Sequence, residues 1–192
     1  QSSVGESLLS EILLAAGLAR DDVKLVQLSV DKHLDAWQRN ELDAVVSYEP
    51  VASELLARGA HKLFDSRQIP NTIIDVLAIR TDLLDSHASA IRHLIQSHFK
   101  ALDHLKRNPQ DAAYRMAGHL KLKAADVLPA FKGLVLPDAA YNQRLLAGTT
   151  PELLVTARKL SAITAKNQLL KQDDSLNSLI RADFLPTVVQ GR

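Results

Sequence analysis

The residues that could carry chemistry are few and widely spaced. The chain has seven histidines and no cysteine, so disulfides, thiolate chemistry and cysteine-ligated metals are excluded. His87, His93, His98 and His104 fall in one helical stretch, six, five and six residues apart. Two rings share a helix face at a spacing of three or four, so these four make no metal pair. His33, His61 and His119 are isolated in the sequence. No Gly-rich phosphate loop, Gly-x-Ser-x-Gly elbow or His-Glu-x-x-His motif occurs. The expectation is therefore a protein that is not an enzyme, with no metal site and no cofactor.

Binding is the better-supported chemistry. Ser2 and Ser3 precede an apolar helical run. Their hydroxyls and the first free helix amides would suit an anion or polar group. The plainer alternative is a capping box, with Ser3 bonded to the Glu6 amide and Glu6 returning to Ser3. Tyr48 and Glu49 follow an apolar run and precede Pro50. Tyr48 could stack on a ligand or donate its phenolic proton. Glu49 could accept from an amine or simply cap the next helix. A ligand-facing Glu49 argues against bare nitrate or sulfate. Trp37 and the leucine stripes read as core.

The elements that would position these groups alternate at first. Val4, Leu8, Leu9, Ile12, Leu13 and Ala16 recur at helical spacing, and Gly17 is a natural stop. Runs at 23–28, 42–48, 61–64 and 73–79 read as strands, with short helices at 31–39 and 50–58 between the earlier ones. An uninterrupted apolar run such as Ala44-Val45-Val46 suits a parallel strand covered on both faces. Parallel strands at 23–28 and 43–48 are thus expected, in an α/β layer, with Ser3 and Glu49 on one rim. From Ser86 onward nearly everything reads as helix: 86–107, 109–119, 124–132 and 151–170, with 133–148 as a less ordered connection. Pro109 disfavours helix at Asn108 and suits the first turn of the next one.

Composition fits a soluble chain: 46% hydrophobic and 23% charged residues across 192 positions argue against wholesale disorder. No run approaches the roughly 18 apolar residues of a membrane span. The net charge of +1 hides an asymmetry. Through Val76 there are seven Lys/Arg against twelve Asp/Glu, and after it sixteen against ten. The basic excess is scattered without aromatic interleaving, so no nucleic-acid partner is expected. The opening at Gln1 suggests a removed signal or a start within a longer protein.

Several stretches taken in order carry a family resemblance. They are Gln1-Ser2-Ser3-Val4-Gly5, Ala16-Gly17-Leu18, Asp21-Asp22-Val23, and Leu34-Asp35-Ala36-Trp37 leading into Glu41 to Pro50. Gly59-Ala60, Ile69-Pro70-Asn71, Ile74 to Ile79, Asn108-Pro109 with Asp111-Ala112-Ala113, and Ala182-Asp183-Phe184-Leu185 follow. The sequence resembles the nitrate/sulfonate/bicarbonate group of periplasmic solute-binding proteins that serve ABC importers, relatives of taurine, alkanesulfonate and thiamine-precursor binders. The resemblance implies an α/β, type II periplasmic-binding-protein-like fold. Residues 1–73 would form lobe 2, its first strand missing, and residues 74–192 the crossover strand and C-terminal helices of lobe 1. Asn71 and Asp75 would flank the crossover as candidate ligand-binding residues, Asn71 reaching the cleft and Asp75, in an apolar strand, needing a partner if buried.

The implied function is capture of a small polar or anionic solute between two closing lobes, for delivery to an ABC transporter membrane permease. The implied location is periplasmic or otherwise extracytoplasmic, including a lipid-anchored form of the full-length protein. A missing N-terminal segment or a second chain would complete lobe 1 and cover the helices, with intramolecular bundling as the alternative. Other readings are a ligand-sensing module of a longer receptor, an enzyme like the thiamine-pyrimidine synthases, and a fragment that dimerises through its uncovered face.

Overall fold

In the computed structural model the described residues are 3–69, 73–166 and 176–187. They fall into two units. The first comprises Gln1–Ile74 with Ile163–Lys171, the second Asp75–Ala162 with Gln172–Arg192.

The first unit holds three helices. Helix α1 (Ser3–Ala16) ends where Gly17 takes φ +68°, letting the Leu18 amide reach the Leu13 carbonyl at 2.9 Å. Glycine occupies that left-handed position without a Cβ clash. Helix α2 (Val30–Gln38) is closed by Asn40 at φ 54°, with the Glu41 amide on the Ala36 carbonyl at 3.0 Å. Leu34 and Trp37 were the expected core of α2, yet they are half-buried, and His33 and Ala36 are the buried pair. Ala36 is small enough to bring the helix close to its neighbour. Helix α3 (Val51–Ala57) follows a cis Glu49–Pro50 bond, packs on α2 and buries Leu55.

The expected strands do not form. Among the described residues no strand is present, so the α/β layer and the type II binding-protein architecture are corrected to an all-helical one. The physical reason lies in exposure. A strand of a covered parallel sheet is buried on both faces, whereas Leu25, Val26 and Leu28 stand exposed and Leu63 is 83% exposed. β-propensity records fit to a neighbouring strand and not an intrinsic backbone demand. Without a ladder, valine- and leucine-rich runs remain connections. Parallel pairing of 23–28 with 43–48 and the shared strand-end rim for Ser3 and Glu49 lose their basis together.

The second unit is a chain of helices. Helix α4 (Ala88–Arg107) turns at Asn108 into α5 (Pro109–Leu120), with Pro109 in the first turn as its missing amide allows. Lys121 at φ 57° caps α5, and the Leu122 amide bonds to Ala117 at 3.0 Å. Helix α6 (Ala124–Ala130) then packs on α5, as α4 does. Ile91, Leu102, Ala112, Ala113 and Val127 are buried, Val127 completely. The helices thus cover one another, and no lobe 1 sheet from another segment or chain is needed for these side chains. Helix α7 (Ala139–Leu146) falls within the stretch expected to be a less ordered connection; its signal is Asp138, whose carboxylate accepts from the Tyr141 amide at 2.9 Å. Helix α8 spans Glu152–Lys166, its residues from Ile163 onward belonging to the first unit; the expected extension to 170 lies outside the described residues.

Candidate functional site

The first unit contains one buried polar side chain among the described residues, His33. Helix α2 carries it inward, on the face it shares with Ala36. Its Nε2 lies 3.3 Å from the Leu28 carbonyl and its Nδ1 3.1 Å from the Ser47 hydroxyl. A carbonyl only accepts, so Nε2 carries the proton and donates. Nδ1 is then the acceptor for the Ser47 hydroxyl in the neutral ring. Two runs that form no ladder, 23–28 and 42–48, are thereby tied to one imidazole.

A serine donating to a histidine whose far nitrogen is held by an acceptor has the form of an activated nucleophile. Acyl chemistry would also need free donors for the developing oxyanion. Three of the neighbouring α3 amides are already committed. Ala52 donates to the Tyr48 carbonyl at 2.8 Å, Ser53 to the Glu49 carboxylate at 3.1 Å, and Glu54 to the Pro50 carbonyl at 3.2 Å. The two bonds clasp His33, the one buried imidazole among the described residues, and satisfy both of its ring nitrogens.

Among the sequence-selected residues, Glu49 receives the Ser53 amide and so performs the capping role. Tyr48 is exposed, directly after the Ser47 clasp. Asp75 is exposed and needs no buried partner. Ser3 is the first residue of α1, but its side chain, like Ser2 and Asn71, lies outside the described residues. Tyr48 and Glu49 lie together at the start of α3. His33 and Ser47 escaped the sequence reading because they sit 14 positions apart, where no helical or strand period relates them.

The second polar cluster lies where α4 meets α5. Asp111 accepts from Arg115 Nε and from His104 Nε2, each at 2.7 Å. The Arg115 bond first, and the His104 bond next, hold the Asp111 carboxyl below its usual range. Spacing within one helix could not reveal this pair, because the chain turns at Asn108 between its members. Asp65 forms a similar exposed knot, held well below the carboxylate range by Arg67 and then Lys62. It lines a shallow cavity of about 460 Å³ with Leu63, Phe64 and Gln68. Near the end of the described chain, Phe184 is buried between the guanidiniums of Arg92 and Arg181, 4.9 and 5.4 Å from its ring centre. Arg92 also donates to the Asp183 carbonyl.

One further feature is apolar. Between α6 and α7 the loop Gly133–Pro137 holds Leu134, Val135 and Leu136 at 59, 76 and 37% exposure. Gly133 at φ +87° begins it, and the Asp138-capped start of α7 ends it. No group of three or more His, Asp or Glu side chains suited to a metal occurs among the described residues.

No curated protein and no solved structure matches the chain. Residues 1–120 match the NMT1-like family. That family takes the place of the nitrate/sulfonate/bicarbonate group of solute-binding proteins. Among the described residues no sheet builds a lobe, so the closing cleft of an ABC-importer component is not supplied. The interlobe solute and the membrane permease partner are corrected with it, since both rested on that cleft. The sensing-module and synthase alternatives drew on the same fold and go the same way. The match covers more than half of the sequence, and the chain belongs to the NMT1-like family.

Proposed function

We propose that this chain is a non-catalytic docking module, a helical scaffold that recognises a surface through apolar side chains held in solvent. The observation that carries this reading is the Leu134-Val135-Leu136 loop. Single exposed leucines are ordinary. Three in succession, on a loop fixed at both ends by ordered helices, are a presented feature. The non-catalytic part is supported by the clasp around His33, beside which the Ala52, Ser53 and Glu54 amides are occupied.

Two measurements test the reading. Retention on a mildly hydrophobic matrix should fall clearly in Leu134→Ser/Val135→Ser, with an unchanged helical circular dichroism spectrum. Equal retention would remove the docking surface. An activated ester such as p-nitrophenyl acetate should be hydrolysed at the same rate by the wild type and Ser47→Ala. Turnover that depends on Ser47 would make the protein a catalyst and overturn the non-catalytic reading.

A further inference from the structure

The loop that carries the docking proposal does not stand alone. Helix α6 lies just before it, and the residues at both ends of α6 repeat one composition. Before α6 the chain reads Leu120-Lys121-Leu122-Lys123, and after it Lys132-Gly133-Leu134-Val135-Leu136. Leu120 is exposed, as are Lys121, Lys123, Lys132 and the three loop residues. Lys121 is held in the left-handed conformation that closes α5, and α6 packs on α5 with its own Val127 fully buried. The lysines and the aliphatic residues therefore flank the two ends of one packed helix. The acids nearby do not cancel them. Asp138 is engaged by the Tyr141 amide and by Lys106 at 3.8 Å, which leaves Asp126 as the one other carboxylate of this stretch.

Building on the docking reading, we propose that this edge binds an anionic lipid surface, with Leu134, Val135 and Leu136 entering the acyl boundary and Lys121, Lys123 and Lys132 meeting the headgroups. The side-chain types favour lipid over a protein partner. Protein interfaces draw their strongest contacts from Trp, Tyr and Arg, while Lys is depleted in them and Leu and Val rarely dominate. A stable protein interface also covers roughly 800 Å² per partner, far more than a three-residue tip offers. Aliphatic side chains beside lysines on flexible stems match the interfacial membrane pattern. No helix among the described residues is long and apolar enough to cross a membrane, so binding would be at the surface.

The test uses the full chain in co-sedimentation with phosphatidylcholine vesicles, with and without phosphatidylglycerol. Binding should require the anionic lipid and weaken as salt rises. Each lysine changed to Gln should weaken it up to about fivefold, the scale expected for one cation near such a surface. Leu134→Ser/Val135→Ser should weaken it at least as much as the triple lysine change. Equal binding to neutral and anionic vesicles would overturn the role of the lysines. Binding to polyglutamate but not to vesicles would overturn the lipid assignment in favour of an acidic protein. No vesicle binding by a chain that still shows loop-dependent hydrophobic retention would reject this inference alone. Loss of that retention difference as well would reject the docking reading beneath it.

Discussion

The stretch from Ser3 to Phe64 and the stretch from Ala88 to Phe131 use similar amphipathic helices and bury them very differently. In the second, α4, α5 and α6 follow one another through tight turns and pack in series, with Val127 and Ala113 almost wholly enclosed. In the first, α2 and α3 pack, but the apolar runs between helices meet no partner strand and leave Leu25, Val26, Leu28 and Leu63 in solvent. The difference teaches that burial follows quickly when an element's partner is its neighbour in sequence. A β-prone run depends on pairing, which its own residues cannot supply.

The sharpest way to break this comparison is a charge in each region. Val127→Asp should cost about 4 kcal/mol or more, because an unpaired carboxylate would sit in a closed apolar site. Leu63→Asp should stay within about 0.5 kcal/mol, as for exposed positions generally. Urea denaturation of both variants checks the pair, and similar losses would show that the first region is packed after all.

What the sequence made legible follows the same division. Helical spacing, the Gly17 stop and the Asn108-Pro109 break all find counterparts, since each is set by residues within a turn of one another. The strands failed because Ala44-Val45-Val46 reports apolar character and not the presence of a partner. Family-level expectations built on those strands, the two lobes and the importer cleft, inherited the error. Within the site, the bond from the Ser53 amide to Glu49 matches the capping alternative weighed beside a ligand role, because that bond is local. The His33–Ser47 clasp and the His104–Asp111 pair were not, because turns of the chain create them.

Smaller effects sharpen the comparison. Leu55→Ala should cost about 2–5 kcal/mol if the α2–α3 contact is a true core, by the usual cost of a buried leucine. A smaller loss would mark that contact as loose. Ala113→Leu should cost about 1–3 kcal/mol through overpacking, checked by the same denaturation series. A neutral result would reveal unfilled space beside α5.

The smallest effect concerns pH. The Asp111 carboxyl is depressed by Arg115 and His104, so its contribution is present above the ordinary carboxylate value of 3.8 and is lost as pH falls through the depressed folded value. Asp111→Asn should flatten the acid side of the stability profile below about pH 4. The contribution should shrink with salt, because the cluster is exposed. An acid limb identical to that of the wild type would show that the cluster adds nothing to the α4–α5 turn.

Amide hydrogen exchange followed residue by residue tests the central claim most directly, namely that apolar runs outside the helices are left open while α4 to α6 close on one another. The account predicts slow exchange along Ile91 to Leu102 and at Val127, and rapid exchange at Leu25, Val26, Ala44 to Val46 and Leu134 to Leu136. Slow, ladder-like protection at 24–28 and 43–47 would mean that these runs pair as strands, and would contradict the helical account at its root.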